Sequence, residues 1–149
     1  RPESRGFVRI NSPDPLAKPV IQPNYLSTPT DQGIAAESIR LTRRIISQPA
    51  LQLYLPEEFK PGPEFQEHDE LVTAAGDIAT TIFHPVGTCK MGIDRMAVVD
   101  ERLIVRGIDG VRVVDASVMP SITSGNTNSP VIMIAEKASD MIREDATNG

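Results

Sequence analysis

Thirteen prolines constrain the possible folds of this 149-residue chain more than any other feature. Most of them lie before residue 64. Each proline fixes its own φ angle, removes a backbone hydrogen-bond donor and disfavours helical backbone in the residue before it. Long helices are therefore confined to the gaps between prolines, and the connections between elements are expected to be long and irregular.

The N-terminal part of the chain predicts two short strands. Residues 7–10 are mostly β-forming, and Gly6 lets the backbone turn ahead of them. Pro13 and Pro15 mark a turn. Residues 20–21, a valine and an isoleucine, are then expected to form a second strand that pairs with the first.

Three helices are predicted from capping residues and from apolar residues at helical spacing. The first begins at Thr28 as N-cap and ends before Pro49. A second is expected from about Gln66 to Ile82, where Gly76 suggests that another group packs close to the helix. The third begins with Ser129 as N-cap and with proline at the first helical position. The expected apolar stripes are Ile34, Ser38, Leu41 and Ile45 on the first helix, Leu71, Ala74, Ala75, Ile78 and Ile82 on the second, and, facing inward, Val131, Ile134, Ala135, Ala138, Met141 and Ile142 on the third.

The region between the second and third helices predicts further short strands, at residues 98–99 and 103–105. Val111–Val114 is the strongest candidate, and its apolar character predicts burial on both faces. Together with the helices, these segments predict an α+β fold with short, mostly antiparallel strands and about three helices.

Composition excludes several classes of function. The formal net charge is −5 and the basic residues are scattered, so we expect no nucleic-acid partner. No apolar run approaches the roughly 20 residues of a membrane span, so no transmembrane segment is expected. Cys89 is the only cysteine, which rules out an intrachain disulfide and favours a reducing compartment. A cytoplasmic location is therefore expected, with peripheral association at the inner membrane as a variant of it.

His84 is the first candidate for chemistry. An imidazole accepts protons near neutral pH, and Pro85 biases the backbone of His84 toward an extended conformation that would fix its direction. Gly87 and Gly92 allow the backbone to approach a ligand closely. From the residues alone, a buried or surface histidine with one structural hydrogen bond is the more common case.

Asn126 is the second candidate, in a segment of small polar residues that would be an ordinary surface loop in most proteins. The segment leads directly into the third predicted helix, whose N-terminus presents unpaired N–H groups that stabilise an anion. A Ser-His-Asp triad can be drawn from His84, Asp115 and either Ser117 or Ser124. It is disfavoured because no Gly-x-Ser-x-Gly turn exposes a serine.

Several motifs, in order, resemble the glucose-methanol-choline (GMC) family of flavin oxidoreductases. They are HPVGTCKMG (84–92), GVRVVDASVMP (110–120) and SGNTNSPVIMIAEKASDMI (124–142), preceded by SRGFVRINSPDP (4–15). The resemblance covers nearly the whole chain and is strongest to the choline dehydrogenase-like alcohol dehydrogenases. It implies an FAD-dependent alcohol dehydrogenase or oxidase that transfers a hydride from an alcohol carbon to the flavin.

The resemblance also implies roles for individual residues. His84 corresponds to the catalytic base, and Asn126 to a second position that hydrogen-bonds the substrate oxygen. Two groups correspond to positions near the cofactor. They are Asp115 and Ala116 at its pyrophosphate and ribityl region, and Thr127, Asn128 and Pro130 at its isoalloxazine ring.

The adenine-binding unit of the family is missing from this sequence, which shows no G-x-G-x-x-G fingerprint. We therefore interpret the chain as the C-terminal portion of a longer enzyme. Residues 1–97 would complete its substrate domain, and residues 98–149 would supply the closing strand and helix of its FAD domain. The expected partners are an alcohol and the N-terminal half of the same protein. Without that half, FAD retention is not expected. An FAD-containing hydroxynitrile lyase and a non-catalytic interaction module remain as alternatives.

Overall fold

The computed structural model describes residues 1–148 and confirms an α+β fold. Its elements, in chain order, are the strands β1 (Phe7–Arg9) and β2 (Val20–Gln22), the helices α1 (Pro29–Ile46), α2 (Pro49–Gln52) and α3 (His68–Ile78), a 3₁₀-helix (Ala116–Val118) and the helix α4 (Asn128–Asn148). The chain divides into two compact units, residues 2–80 and residues 81 onward. The predicted boundary after residue 97 separates the substrate domain from the FAD domain of a whole enzyme. That boundary stays a prediction.

Strands β1 and β2 pair antiparallel, as predicted, and Val8 lies opposite Ile21. Gly6 precedes β1 at a point where two backbones come very close. A Cβ atom at this position would lie 2.1 Å from the carbonyl oxygen of Gln22 and 2.6 Å from that of Pro23. Gly6 is therefore required for close approach as well as for a turn.

Helix α1 begins as the sequence predicts. The Thr28 hydroxyl accepts a hydrogen bond from the Asp31 N–H at 3.3 Å, and proline follows the cap. The Asp31 carboxylate accepts bonds from the Ser4 hydroxyl and from the N–H groups of Glu3 (2.9 Å) and Ser4 (2.7 Å). These bonds, led by the one from the Ser4 hydroxyl, lower the pKa of Asp31 to about 2. These hydrogen bonds therefore hold Glu3 and Ser4 against the N-terminus of α1.

Helix α1 packs against α3 through small residues and not through its predicted apolar stripe. Ala36 on α1 and Leu71, Ala74 and Ala75 on α3 are buried. In contrast, Ile34, Leu41 and Ile45 of the predicted stripe are about half exposed, at 54%, 46% and 51%. Of these, Ile34 and Leu41 line a shallow groove of about 380 Å³ on α1. Small side chains let the two helix backbones approach closely, so the small-residue face meets α3.

Arg43 fastens the irregular connection between α2 and α3 to helix α1. Its guanidinium donates two hydrogen bonds to the Glu58 carboxylate, at 2.9 and 2.8 Å. It also donates to the carbonyl oxygens of Gly62 (2.9 Å) and Phe65 (2.8 Å). The bonds from Arg43 lower the pKa of Glu58, so this carboxylate stays charged at neutral pH. The guanidinium of Arg43 thus holds the connection between α2 and α3 in place, although this connection has no regular secondary structure.

Helix α3 is shorter than predicted at both ends. It begins at His68 because Glu67 and Glu70 form a capping box, each side chain accepting from the other's backbone. It ends at Ile78, and Ala79 is extended with ψ 149°. Ile82, predicted on the inner face of this helix, therefore lies beyond it.

Gly76 of α3 has room for a side chain, contrary to the expectation of a close neighbour. A Cβ atom added at Gly76 would have Leu26 Cδ1 as its nearest neighbour at 4.0 Å, an ordinary van der Waals contact. We expect Gly76→Ala to raise the free energy of unfolding by about 0.5–1 kcal/mol, because alanine loses less backbone entropy on entering a helix. Urea unfolding of the purified protein measures this change, and a lower stability would show that the helix cannot accept the methyl group.

The second unit has one core, formed by Val99, Leu103, Val118, Met119, Ile134 and Ala138. The predicted strands around it are single bridges, at Met91–Val99, Val99–Val105 and Ile104–Arg112. The prediction of a strand buried on both faces at Val111–Val114 is wrong. Val111 is 46% exposed, and the segment bonds to Leu103 and Val105 along one side. A fully buried strand needs neighbours on both sides.

Helix α4 begins at Asn128, ahead of the predicted start, and Thr127 occupies the position before it. Val131 N–H donates to the Thr127 carbonyl at 3.0 Å, which is the first bond of the helix. The inward stripe is confirmed for Val131, Ile134 and Ala138, which pack in the core. Ala135 and Ile142 instead face outward.

The last turns of α4 are fastened to the core segment by two arginines. Arg102 donates to Asp145 at 2.7 Å and to the Met141 carbonyl at 3.2 Å, and Arg112 also pairs with Asp145. An acidic side chain near a helix C-terminus opposes the helix dipole, and these cations offset that repulsion. The hydrogen bond from Arg112, aided by Arg102, lowers the pKa of Asp145.

None of the helices within residues 1–148 combines the length and apolar character needed to cross a bilayer.

Candidate functional site

His84 lies in the segment 83–92, which is held at several points after the histidine. Pro85 follows it directly, and the Cys89 N–H donates to the Ser117 carbonyl at 3.0 Å. The Met91 N–H donates to the Val118 carbonyl at 2.8 Å. The segment therefore runs beside the 3₁₀-helix, with the His84 side chain half-buried.

Gly87, three positions after His84, explains why this segment lies so close to its neighbour. Its φ angle is 87°, in the left-handed region that glycine adopts without strain. A Cβ atom here would be 3.3 Å from the Met119 carbonyl oxygen. The glycine predicted to allow close approach to a ligand thus allows close approach to the backbone of Met119.

Asp115 caps the 3₁₀-helix beside this segment. Its Oδ1 atom accepts a bond from the Ser117 N–H at 2.7 Å and another from the Ser117 hydroxyl. Asp115 is exposed, whereas Ala116 is half-buried and packs on the core. One carboxylate oxygen of Asp115 is thus used internally, and the other is available to a donor.

The residues around the start of α4 form the second part of the candidate site. Asn126 and Asn128 are exposed, Thr127 is buried at 7%, and Pro130 is half-buried. The first N–H groups of a helix have no partner within it, so those of Asn128 and Ser129 present a positive helix end. Pro130 at the third position lacks an N–H, which leaves the helix intact because that group would be unpaired anyway.

A single core supports both parts of the site. Val86, two residues after His84, packs against it, and so do Ala116 and Val131. The structure therefore brings the histidine segment, the 3₁₀-helix and the start of α4 into one compact unit. Between the described side chains of residues 1–147, the imidazole of His84 and the carboxamide of Asn126 form no hydrogen bond. Their convergence on one substrate stays a prediction.

The alternative triad has no support in the contacts of the described residues. The Ser117 hydroxyl bonds to Asp115 directly, and no bond joins either side chain to His84. His68, the other histidine, is exposed in the first turn of α3. Cys89 is a half-buried free thiol.

Phe83 is a feature that the sequence did not indicate. Its φ angle is 64°, in the left-handed region, although a bulky aromatic side chain disfavours that conformation and phenylalanine is a common β-former. No local signal distinguishes it from an ordinary extended residue. Its position directly before His84 makes it part of the candidate site.

Comparison with known proteins identifies relatives over nearly the whole chain. The family model described as GMC oxidoreductase matches residues 2–135. The chain is 52% identical over 143 residues to an oxygen-dependent choline dehydrogenase of Klebsiella pneumoniae, covering 96% of this chain and 26% of that protein. It is 46% identical to an alcohol dehydrogenase [acceptor] of Pseudomonas putida, covering 95% of this chain and 26% of that protein.

A solved structure has the same fold. An FAD-dependent oxidoreductase from Chaetomium thermophilum superposes with a TM-score of 0.90 at 28% sequence identity, covering 98% of this chain and 26% of that one. The chain thus spans about a quarter of the length of each of these proteins.

Proposed function

Because the chain belongs to the GMC oxidoreductase family, we propose that it forms the C-terminal catalytic part of an FAD-dependent alcohol dehydrogenase or oxidase. The observation that carries the proposal is that the His84 segment and the start of α4 are built on one core, in a chain 52% identical to a choline dehydrogenase. The substrate is an alcohol of the kind that choline dehydrogenase-like enzymes oxidise.

His84 acts as the general base. It removes the hydroxyl proton of the alcohol while a hydride leaves the carbinol carbon, so an aldehyde or ketone is formed. Pro85 and the hydrogen-bonded residues after it limit the directions that the imidazole can take. A fixed direction matters because proton transfer requires heavy atoms within about 2.6–3.2 Å of each other.

Asn126 holds the substrate oxygen. Its carboxamide remains neutral and cannot serve as a base at neutral pH, but its NH₂ group can donate to an oxygen that gains negative charge. Its exposed position just before α4 leaves this group free to meet a ligand.

FAD, when bound, supplies the acceptor for the hydride. The start of α4 fits the electron-rich end of a flavin ring, because Asn128 and Ser129 present N–H groups at the positive end of a helix of 21 residues. Thr127 and Pro130 set the path of the chain at that point. Ala116 would offer a small surface to the ribityl chain of the bound cofactor. The free oxygen of Asp115 suits a ribityl hydroxyl rather than the pyrophosphate, since two anions would repel.

The remaining part of the cofactor site belongs to the N-terminal half of the same protein, which is the partner of this chain. In the whole enzyme, residues 1–97 complete the substrate domain and residues 98–149 the FAD domain. The proposed location is the cytoplasm. The single half-buried thiol of Cys89 is consistent with a reducing compartment.

Anaerobic reduction of the flavin tests the proposed reaction. The full-length protein is purified with FAD and mixed with choline or another primary alcohol without oxygen, and the absorbance of oxidised flavin is followed. We expect it to disappear as the alcohol is oxidised. A flavin that stays oxidised with every alcohol, while a cyanohydrin is split, would instead identify a lyase.

Asn126→Ala is expected to lower kcat of the full-length enzyme while flavin is retained. The loss is one hydrogen bond of roughly 0.5–3 kcal/mol, so a decrease of about 2- to 150-fold is expected. Steady-state kinetics and the flavin-to-protein ratio measure both quantities. Asn11→Ala, at an exposed asparagine near β1, is the matched control. Equal kinetics of the two variants would remove Asn126 from the site.

A further inference from the structure

Helix α1 carries an apolar face that is only partly covered. Ile34 and Leu41 lie two turns apart on the same side of the helix, and their side chains are about half exposed. They line the shallow groove, which begins at Pro29 and Thr30 in the first turn of α1. Burial of neighbouring aliphatic side chains is favourable, so a surface of this kind is typical of contact with another segment of protein.

Gly33 indicates that the covering segment approaches the helix closely. Glycine inside a helix is less stable than alanine, so its presence usually has a packing reason. Among the described residues, a Cβ atom added at Gly33 would meet nothing within 4 Å, so these residues do not require glycine here. Gly33 also lines the groove. A residue without a side chain at this position lets a second backbone come close to the helix.

Ser38 and Glu37, which also line the groove, use their polar groups within α1. The Ser38 hydroxyl donates to the Ile34 carbonyl at 2.7 Å, and the Glu37 carboxylate pairs with Arg40 at 2.6 Å. Permanent interfaces are more apolar than transient ones, and charged residues are depleted from their centres. A segment of the same polypeptide therefore fits this groove better than a charged ligand or a transient partner does.

The start of the chain lies at the end of α1 where the groove begins. The Asp31 carboxylate accepts from the N–H groups of Glu3 and Ser4, at 2.9 and 2.7 Å, and Asp31 directly follows Thr30 of the groove. Residue 1 is two positions before Glu3, at most about 7 Å of extended chain. In a longer protein, the polypeptide that precedes residue 1 would therefore begin near this end of the groove.

The length of the relatives shows how much polypeptide is available to cover the groove. This chain spans 26% of the choline dehydrogenase of Klebsiella pneumoniae and 26% of the alcohol dehydrogenase of Pseudomonas putida, so about three quarters of each relative lies outside it.

We propose that the groove of α1 is the docking surface for a segment of the polypeptide that precedes residue 1, and that this segment packs closely over Gly33. This inference rests on the proposed function in one respect, namely that the chain is part of a longer enzyme. It does not depend on the roles of His84 and Asn126.

Thiol labelling of the full-length, FAD-loaded protein tests whether the groove is covered. Ser38→Cys places a thiol in the groove, and Thr73→Cys, on α3, is the matched control, because both side chains are exposed among the described residues. The proteins are treated with iodoacetamide, and the two peptides are followed by mass spectrometry. We expect labelling at residue 38 to be at least about tenfold slower, since a covered thiol reacts only when the contact opens. A thiol at residue 38 that is no better protected than the one at residue 73 would overturn the inference.

A photo-crosslinking amino acid, p-benzoylphenylalanine, in place of Leu41 identifies what occupies the groove. After irradiation of the full-length protein, we expect a cross-link within one chain, to a peptide from the part that precedes residue 1. A product of twice the mass would place a second copy in the groove and overturn the inference. The absence of any cross-link would overturn it as well.

Thermal unfolding of the full-length, FAD-loaded protein tests the close approach at Gly33. We expect Gly33→Ala to lower the unfolding temperature by roughly 1–4 °C, because the added methyl group meets the docked segment. Gly76→Ala is the matched control and should raise that temperature slightly, since Thr73 and Asp77 beside it are polar and exposed. A Gly33→Ala protein at least as stable as Gly76→Ala would contradict close packing over Gly33.

Reduction of the flavin by an alcohol, measured on the same Ser38→Cys protein, separates this inference from the proposed function. If the alcohol reduces the flavin while the thiol at residue 38 reacts freely, only the docking surface is wrong. If the thiol is protected while no alcohol reduces the flavin, the docking surface stands and the proposed reaction fails.

Discussion

We expect His84→Gln to lower kcat of the full-length, FAD-loaded enzyme by about 10²- to 10⁴-fold, which is the range for removing a general base, the role proposed for His84. Glutamine keeps a hydrogen-bonding side chain of similar length but cannot take up the hydroxyl proton. Flavin content should stay unchanged, because the segment that carries His84 is held by backbone bonds to Ser117 and Val118. The measurement is steady-state turnover together with the flavin-to-protein ratio.

A second histidine variant sharpens this prediction. His68→Gln is the matched control, because His68 is an exposed histidine in the first turn of α3. A full-length His84→Gln enzyme with the same turnover as His68→Gln would contradict the assignment.

Gly6→Ala is expected to cause the largest loss of stability, about 2–3 kcal/mol, as is typical of overpacking against rigid neighbours. The added Cβ would lie 2.1 Å from the Gln22 carbonyl oxygen, and that oxygen belongs to backbone that cannot rotate away. One of the two segments must therefore move. Urea unfolding of the purified protein measures the effect.

The surroundings of Gly6 explain why movement is costly. On its N-terminal side, Glu3 and Ser4 are bonded to the Asp31 carboxylate, and the Arg5 carbonyl accepts from the Asn24 side chain at 3.1 Å. On its C-terminal side, β1 pairs directly with β2. A shift that relieved the clash would break bonds on one side or the other.

Gly76→Ala is the matched control for Gly6→Ala, because it is the same chemical change in the same unit. The position is open, with the nearest atom at 4.0 Å, so the sign of the effect should reverse. Stabilisation by one substitution and destabilisation by the other would separate local crowding from a general effect of the methyl group. Two variants of equal stability would show that the clash at Gly6 is relieved by a small shift.

Local chemistry made several elements predictable. The start of α1 depends on Thr28 and Pro29, whose capping and fixed φ angle act within one turn of chain. The pairing of β1 with β2 follows from two short β-forming runs separated by a proline turn. The family was recognisable because its motifs form continuous stretches of sequence, whereas the roles of the individual site residues stay predictions.

Other features depended on tertiary contacts that no local sequence pattern predicts. Val111–Val114 has the composition of a buried strand, but it has bonding partners on one side only in the described residues, so it stays partly exposed. The apolar stripe of α1 satisfies the helical period, yet the small-residue face was the one that met α3. The end of α3 at Ile78 was also set by the path of the chain beyond it, since the apolar period continues to Ile82.

The sequence by itself determined where α1 begins and that β1 pairs with β2, because both depend on side chains within a short stretch of chain. Only the tertiary structure decided which apolar face is buried and how the backbone turns at Phe83, with its φ angle of 64°. The physical reason is that burial and strain are properties of the whole set of contacts. A left-handed turn at a phenylalanine costs free energy locally, so it persists only where the rest of the structure offsets that cost.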